Sequence, residues 1–362
     1  MLKQRSGLLV GLVAFTLFLF WSVSIRQSLL FLVGIGFGLV LAGMRFGFTT
    51  GWRNFIEQRD PSGILAQLLL LAIAAAISLP LLAAYPGELS AALGPPSISL
   101  LVGALVFGAA MQLADGCGSG TLYKAGLGIP LNMAILPMFA LGSFLGSAHL
   151  GWWLDLGTME PVSLLHHASL SQALLNTFLG LGALAAAVLW WSKGYHQGAV
   201  FNRTLMIGAV LLALLAVLNL VIAGQPWGIV YGFGLWGAKA AHSLQLFDPS
   251  HNAFWSQATH AANLNQSVLL DLTTITNLGI LAGALLVFTG RKRPEQTLNA
   301  KQWAVGIIAG FILGYSSRLA FGCNVGAMVS GISTGSLHGW IWVALAFVGS
   351  FFGLRIRRYF NY

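Results

Sequence analysis

The chain alternates between long runs that lack charged residues and short segments that carry them. Ten runs contain no Asp, Glu, Lys or Arg, at positions 7–25, 28–44, 63–87, 98–114, 125–154, 168–192, 204–238, 272–290, 302–317 and 319–354. Several reach the roughly 20 residues that a membrane-spanning helix needs. Because lipid cannot satisfy backbone polar groups, and because barrel strands are only about ten residues long, the pattern predicts an all-α polytopic membrane protein with about nine to eleven hydrophobic helices.

Composition agrees with a chain that lies in lipid. Of its 362 residues, 57% are hydrophobic and 7% are charged, whereas soluble globular domains are about one quarter charged. The net charge of +9 would suggest nucleic acid in a soluble protein, so the location of the charges decides its meaning. Basic residues in short loops include Arg53, Arg59, Lys193, Arg203, Arg291, Lys292, Arg293, Lys301, Arg355, Arg357 and Arg358. This distribution is typical of the positive-inside bias and predicts the bilayer, not nucleic acid, as the partner.

Two segments of the chain are copies of one another. Residues 107–125 align without gaps on residues 313–331, and each segment contains one of the two cysteines. Upstream, the tetrapeptide GFGL at 36–39 recurs at 232–235. Internal repeats of this length are common in polytopic membrane proteins. The chain is therefore predicted to contain two copies of one module.

The charges of corresponding loops predict how the two copies are oriented. The loop after the first GFGL contains Arg53 and Arg59, whereas its equivalent at 248–265 contains Asp248 and two histidines. The other two loop pairs are Glu88 against Arg291, Lys292, Arg293 and Lys301, and Asp155 with Glu160 against Arg355, Arg357 and Arg358. In each of the three pairs, one loop is basic and the corresponding loop of the other copy contains acidic residues. This reversal favours an inverted repeat with its two-fold axis in the membrane plane.

These matches divide the chain into five segments. We expect an N-terminal extra helix at 1–27, membrane repeat one at 28–154, connecting helices at 155–225, membrane repeat two at 226–354 and a basic tail at 355–362. The first segment lacks a small-residue cleavage site, which favours a membrane helix over a signal peptide. One point stays open, because an inverted pair requires an odd number of crossings between the copies, yet 168–192 and 203–224 indicate two.

Each cysteine stands in a glycine-rich interruption between apolar segments. The candidate path residues are Gly116, Cys117, Gly118, Ser119, Gly120 and Thr121 in repeat one, and Gly322, Cys323, Asn324 and Gly326 in repeat two. Such runs predict broken or re-entrant helices, and at membrane depth these are tolerated only inside protein or beside a watery cavity. Breaks related by an in-plane axis would meet near the midplane, where helix N-termini offer free amides to an anion.

The two cysteines permit several interpretations. Buried Cys usually acts as a small apolar side chain, but the same register in both copies favours a functional role. A disulfide would need Cα atoms within about 7 Å and would seal a path between the breaks. Structural zinc expects four ligands, so we expect no metal and no cofactor.

Cations close to these interruptions are the next signal. Arg45 follows the first GFGL, Lys239 follows the second, Lys124 follows the first cysteine and Arg318 precedes the second. A charge at membrane depth is expensive and usually functional or paired. The alternative for each is that it reaches the interface or pairs with a neighbour such as Asp115. As a set around the cysteines, they would suit an anion.

The sequence around both cysteines resembles the YeeE/YedE family of bacterial inner-membrane proteins. The resemblance is carried by GCGSGTLYKAG, by SRLAFGCNVGAMVSGISTGSLHGW and by GFGL with the following GMRFGFTTGWRNF. It implies an hourglass-like inverted-repeat fold that takes thiosulfate into the cytoplasm between cysteine thiols along a narrow central path. By position, Cys117 and Cys323 match the two repeat cysteines of that family.

The chain departs from the family pattern at two places. The family has a third cysteine where this chain has Gly47, so a relay of three thiols is not expected here. The family typically has Gly where this chain has Asp115, whose charge would oppose an anion unless Lys124 or Arg45 neutralises it. The SLHGW segment is also close to the branch associated with selenium metabolism, which leaves the substrate open.

The leading hypothesis is an inner-membrane transporter, not an enzyme, for uptake of thiosulfate or a related small sulfur-containing anion. One alternative is a transporter of selenium compounds. Another is a thiol-based membrane sulfurtransferase or redox enzyme, which would need a base or a cofactor site beside the thiols; the sequence has no C-x-x-C motif and no nucleotide-binding loop. A cytoplasmic sulfurtransferase is a candidate partner.

Overall fold

The computed structural model describes residues 2–194, 198–289 and 298–360. These residues form sixteen α-helices, one π-helix and two short 3-10 helices, Pro249–His251 and Val268–Leu270, and they contain no β-strand. The α-helices are α1 Leu2–Ser22, α2 Ile25–Gly43, α3 Phe48–Gln58, α4 Ser62–Ala84, α5 Ile98–Leu113, α6 Gly118–Gly126, α7 Pro130–Ala148, α8 Leu150–Asp155, α9 Leu164–His167, α10 Leu170–Ser192, α11 Arg203–Ala223, α12 Val230–Ser243, α13 Ala258–Asn265, α14 Leu272–Phe288, α15 Ala300–Leu319 and α16 Leu337–Tyr359. The π-helix is Asn324–Gly331.

Nine segments of the described chain are long and apolar enough to cross a membrane, and Leu272–Phe288 is a shorter apolar helix. The prediction of an all-helical polytopic membrane protein is therefore confirmed. Two of the nine candidate spans contain an interruption at a cysteine, because Ile98–Gly126 joins α5 to α6 and Ala300–Gly331 joins α15 to the π-helix. The inverted orientation of the copies stays a prediction, and Arg291, Lys292 and Arg293, on which part of it depends, lie outside the described residues.

Polar residues begin several of these helices. Ser97 accepts a hydrogen bond from the backbone N–H of Leu100 at 3.1 Å and so begins α5. Asn299 begins α15, where its side chain and that of Gln302 bond each other's backbone N–H at 2.9 and 3.0 Å. Such caps satisfy amides that lipid could not. The two helices that lead into the cysteine interruptions, α5 and α15, therefore each begin at a capping residue.

Close helix crossings hold the centre of the molecule together. The helix α5 packs against α16, α15 packs against α7, and α5 and α15 pack against each other. A Cβ atom at Gly108 of α5 would lie 2.0 Å from the carbonyl oxygen of Ala346, and one at Gly314 of α15 would lie 2.2 Å from that of Phe139. Small residues allow such approach where helices pack in lipid. The matched glycines of the two copies thus lie at matched crossings.

Candidate functional site

The two cysteine interruptions share a backbone hydrogen bond and a residue of positive φ. The backbone N–H of Gly116 donates to the carbonyl of Met111 at 3.1 Å, and that of Gly322 donates to Ser317 at 2.8 Å. Asp115 and Phe321, the residues before these glycines, have φ values of 52° and 55°. Positive φ is uncommon for residues other than Gly, and more so for Phe than for Asp. Each cysteine then precedes the first residue of a short helix, α6 or the π-helix.

The interruptions meet at the centre of the bundle. A Cβ atom at Gly118 would lie 3.2 Å from Sγ of Cys323, and α6 contacts the π-helix. Sγ of Cys117 lies 3.4 Å from Oγ of Ser119, and the backbone amide of Ser119 is within reach of both sulfur atoms. Both cysteines are fully buried and neither forms a disulfide. Two thiols therefore face one small region from opposite copies.

Buried polar atoms beside the thiols have no partner within the described part of the chain. They are Oγ1 of Thr121 and both Oδ1 and Nδ2 of Asn324, the residue that follows Cys323. A buried polar group without a hydrogen bond costs about 1–3 kcal/mol. These atoms, together with the amides at the helix N-termini, would suit a small polar ligand.

A large cavity approaches the thiols from one end of the bundle. Its volume is about 770 Å³, and we call it the vestibule. Its lining includes Trp227, Tyr231, His260, Asn263, Asp271, Phe321, Gly326 and Ser330. Gly326 belongs to the second cysteine break, and its backbone amide is within reach of the Cys323 sulfur. The backbone of Gly326 therefore borders both the vestibule and the thiol of Cys323.

A smaller polar cavity lies at the opposite end of the bundle. It has a volume of about 160 Å³, and Arg45, Gly47, Ser62 and Gly63 are among its lining residues. The vestibule also contacts residues 90–93. The two cavities thus flank α4, whose 23 residues span about 35 Å. Both cysteine side chains, which lie between these two ends, are fully buried.

The Asp115 carboxylate is neutralised by three cations. Arg53 and Lys124 lie 2.8 and 2.7 Å from its oxygens, and Arg357 lies at 3.6 Å. Lys124 also donates to the main-chain carbonyl of Asp115. The sequence suggested Lys124 or Arg45 as the neutralising cation. Lys124 takes that role together with two arginines, whereas Arg45 lines the smaller cavity instead.

The sequence analysis missed Arg53 and Arg357 because it assigned Arg53 to a loop and Arg357 to a basic tail, where basic residues fit the positive-inside bias. A signal was present in the spacing of α3, where Arg53 lies one turn from the buried Thr49. That position indicates a side chain near the protein interior and not in free solvent.

Two other predicted path cations have structural partners. Nε of Arg318 donates to Oγ of Ser147 at 2.7 Å, and its guanidinium lies over the rings of Tyr231 and Phe254 at 5.8 and 5.0 Å. Arg318 therefore packs against Tyr231, which is one of the residues that line the vestibule. Nζ of Lys239 donates to the carbonyls of Leu264 and Gln266, both at 2.6 Å. Lys239 thus caps the end of α13 and is not brought to the thiols.

Comparison of the sequence with known proteins identifies a family. The model of a family described as "Sulphur transport" matches residues 44–352. The chain is 27% identical over 328 residues to the thiosulfate transporter TsuA of Spirochaeta thermophila, covering 86% of this chain and 92% of that protein. It is 22% identical to the thiosulfate transporter TsuA of Escherichia coli, over 86% and 89% of the two chains. It is 31% identical to the probable transporter YedE of Escherichia coli, over 46% and 40%.

The matched region contains both cysteine interruptions together with α5, α6, α15 and the π-helix. The family and these relatives are transporters and not enzymes, in agreement with the sequence-based hypothesis. This multi-pass membrane protein therefore belongs to the sulphur transport family, the YeeE/YedE proteins that its cysteine motifs resemble.

Proposed function

We propose that this protein imports thiosulfate, or a related small sulfur anion, across the bacterial inner membrane along a path between Cys117 and Cys323. The observation that carries the proposal is the meeting of the two cysteine interruptions, where a Cβ atom at Gly118 would lie 3.2 Å from Sγ of Cys323. The buried side chains of Thr121 and Asn324, in the same two interruptions, have polar atoms without a hydrogen-bond partner among the described residues. The chain also spans most of two relatives named as thiosulfate transporters.

The chemistry of this region suits a sulfur anion. Thiol groups are weak, polarisable hydrogen-bond donors, and they match the soft terminal sulfur of thiosulfate better than a hard oxygen. Backbone amides at the starts of α6 and the π-helix would offset the loss of hydration of the oxygen atoms. Lys124 binds Asp115 and Arg318 binds Ser147, so these two cations have partners other than the thiols. Weak sites in series favour conduction, because a tightly bound ion would not leave.

The vestibule supports a direction for entry. It is far larger than a single small anion, so an ion can enter it hydrated and lose water only near Gly326 and Cys323. The positive-inside bias predicts that the vestibule end faces the periplasm, because Arg45, Arg53 and the basic C-terminal end of α16 lie at the other end. Uptake would then run from the vestibule past Cys323 and then Cys117.

The test is growth of a sulfur auxotroph on limiting thiosulfate with Cys117→Ala or Cys323→Ala as its only transporter of this family. We expect either variant to abolish growth while its amount in the membrane is unchanged. Thr177→Ala is the matched control, since it trims a buried side chain of α10 whose hydroxyl donates only to the local carbonyl of Ala173. Undiminished growth in both cysteine variants would refute the thiol path.

A further inference from the structure

Three buried tryptophans have an indole N–H without a hydrogen-bond partner among the described residues. They are Trp227, Trp255 and Trp342, and each is at most 1% exposed. An indole nitrogen donates a hydrogen bond and cannot accept one. A buried donor without an acceptor is destabilising, so such a group is a candidate for binding a ligand. Trp227 belongs to the lining of the vestibule, whereas the other two do not.

The Trp227 N–H differs from the other polar groups of the vestibule lining. Arg26 donates to two main-chain carbonyls at the end of α11, and the Asp271 carboxylate accepts from a backbone amide of α14 at 2.7 Å. One other lining side chain has a buried polar atom without a partner in the described chain, and that atom is Oε1 of Gln27. An amide oxygen is an acceptor and does not bind an anion. Trp227 therefore provides the buried donor of this lining that is available to an anion.

Contacts at its face and at its main chain hold the Trp227 ring in one orientation. The ring stacks on that of Phe37 in α2, with centroids 3.8 Å apart and an angle of 8° between the planes. The main-chain carbonyl of Trp227 accepts a hydrogen bond from Oγ of Ser330, in the π-helix, at 2.6 Å. A packed aromatic ring has little freedom to turn. The N–H therefore keeps a fixed direction relative to the π-helix that follows Cys323.

Trp227 also lies on the short segment that joins the vestibule to the thiols. Trp227 and Gly228 line the vestibule. The next residue is Ile229, and a Cβ atom at Gly118 would lie 3.3 Å from its Cγ2. The same Cβ atom would lie 3.2 Å from Sγ of Cys323. Within three residues, the chain thus passes from the vestibule lining to the contact between the two cysteine interruptions.

We propose that Trp227 is a specificity-determining residue, whose indole N–H binds an oxygen atom of the anion at the inner end of the vestibule before the anion reaches Cys323. The inference rests on the proposed uptake function and names where the anion is recognised. Because the indole nitrogen is buried, the anion reaches it when the vestibule wall opens toward the thiols, and it loses water there. A hydrogen bond to an anion is stronger than one between neutral groups. With one oxygen atom held by Trp227, the terminal sulfur of thiosulfate can face the Cys323 thiol.

The test compares the kinetics of thiosulfate uptake into proteoliposomes that contain purified wild type or Trp227→Phe. We expect the KM of Trp227→Phe to rise about tenfold, because a hydrogen bond to a charged group is lost, and kcat to change by less than about twofold. Trp342→Phe is the matched control. It removes another buried N–H without a partner in the described chain, at a position that does not line the vestibule, so its KM should equal that of the wild type.

A second substitution at the same position separates the N–H from the size of the ring, since Phe is smaller than Trp. Benzothienylalanine at position 227 keeps the two fused rings but has sulfur in place of the N–H. We expect it to raise KM by the same factor as Trp227→Phe. If Trp227→Phe does not reach the membrane, the protein with benzothienylalanine tests the inference by itself.

The outcomes separate this inference from the proposed function. If the wild type takes up thiosulfate and benzothienylalanine at position 227 leaves KM unchanged, the N–H does not bind the anion, and the inference is wrong while uptake stands. An equal rise of KM in Trp342→Phe would also overturn it, because the loss of any buried indole N–H would then explain the result. If the wild type takes up no thiosulfate, the proposed function fails and the inference fails with it.

Discussion

At the scale of single residues, the contact between the two cysteine interruptions depends on a missing side chain. A Cβ atom at Gly118 would lie 3.2 Å from Sγ of Cys323 and 3.3 Å from Cγ2 of Ile229, which is tighter than ordinary packing. At Gly120 the nearest atom, Sγ of Cys117, would be at 3.6 Å, an ordinary contact. A side chain at position 118 would therefore narrow the space beside the thiols more than a side chain at position 120.

Gly118→Ala is expected to reduce uptake about tenfold without loss of the folded protein. Overpacking costs about 1–3 kcal/mol, and about 1.4 kcal/mol is a factor of ten. The measurement is the initial rate of thiosulfate uptake in proteoliposomes, normalised to the amount of protein. Gly120→Ala is the comparator and should lose less than about threefold. Equal rates for Gly118→Ala and the wild type would show that the ion does not pass this contact.

A histidine of the vestibule wall predicts a dependence of stability on pH. Burial, and to a lesser extent the positive charge of Arg318, lowers the pKa of His260 to about 4. Its Nδ1 lies 3.0 Å from the hydroxyl of Tyr231, and its ring stacks on Phe254 with centroids 4.1 Å apart. In the unfolded chain a histidine titrates near 6.5, so on acidification the unfolded chain takes up the proton first. Stability is therefore lost as the pH falls from about 6.5 to about 4.

The loss of melting temperature between pH 7 and pH 5 is expected to be about 2 °C smaller in His260→Gln than in the wild type. The value is modest because His260 is only partly buried. Thermal unfolding in detergent at both pH values gives the measurement. His167→Gln removes an exposed imidazole and controls for loss of a histidine as such. The same acid-induced loss in His260→Gln and the wild type would contradict a burial-dependent pKa.

At the scale of elements, helix packing suggests how the repeat is built. The helix α4 packs against α11, and α14 packs against α2; α3 packs against α16, and α12 packs against α7. Since α4 and α14 each precede a cysteine helix, we propose that α11 is the counterpart of α2 and that α12 is the counterpart of α3. This assignment differs from the one that the GFGL match predicts, which pairs α2 with α12.

The proposed pairing resolves the number of crossings. If α3 and α12 enter the membrane without crossing it, five crossings precede α11, namely α2, α4, α5 with α6, α7 and α10, and α11 then runs opposite to α2. The sequence could not provide this, because the charge-free run 204–238 includes α11 together with most of α12, which has only 14 residues. The length of the folded helix, and not its hydropathy, distinguishes a helix that crosses the membrane from one that enters and leaves on the same side.

The matched crossings predict matched effects of substitution. Gly108→Ala and Gly314→Ala each place a Cβ atom about 2 Å from a backbone carbonyl of the facing helix, so the helices must separate. We expect both variants to lower the melting temperature by about 3–8 °C. Gly182→Ala in α10 is the control, because a Cβ there would meet nothing within 4 Å. If all three variants melt alike, the crossings at α5 and α15 are looser than described.

At the scale of the whole molecule, charge decides the orientation in the membrane. The basic residues at Arg53, Lys193 and Arg358 lie at one end of the spans, and the acidic loop residues Glu88 and Asp155 lie at the other. Reporter fusions measure this directly. We expect a fluorescent protein fused after residue 360 to fluoresce in the cytoplasm, and alkaline phosphatase fused after residue 90 to be active in the periplasm. The reverse result would turn the vestibule toward the cytoplasm and overturn the direction of uptake.

How much the sequence predicts differs between fold and site. The helical membrane class and the family follow from apolar runs and from the two G-C-x-x-G motifs, because these are local patterns. The approach of Gly118 to Cys323 and the convergence of Arg53 and Arg357 on Asp115 are contacts between distant segments, which no local pattern contains. Lys239 illustrates the opposite case, since its place after GFGL suggested a path residue but it caps α13.

The most direct test of the proposed function is uptake into proteoliposomes of purified wild type, Cys117→Ala and Cys323→Ala, with thiosulfate, sulfite, sulfate and selenite compared side by side. We expect the wild type to take up thiosulfate faster than the other three anions, and each cysteine variant to lose that uptake while it stays folded. If both cysteine variants take up thiosulfate as fast as the wild type does, the result would contradict a path between the two thiols.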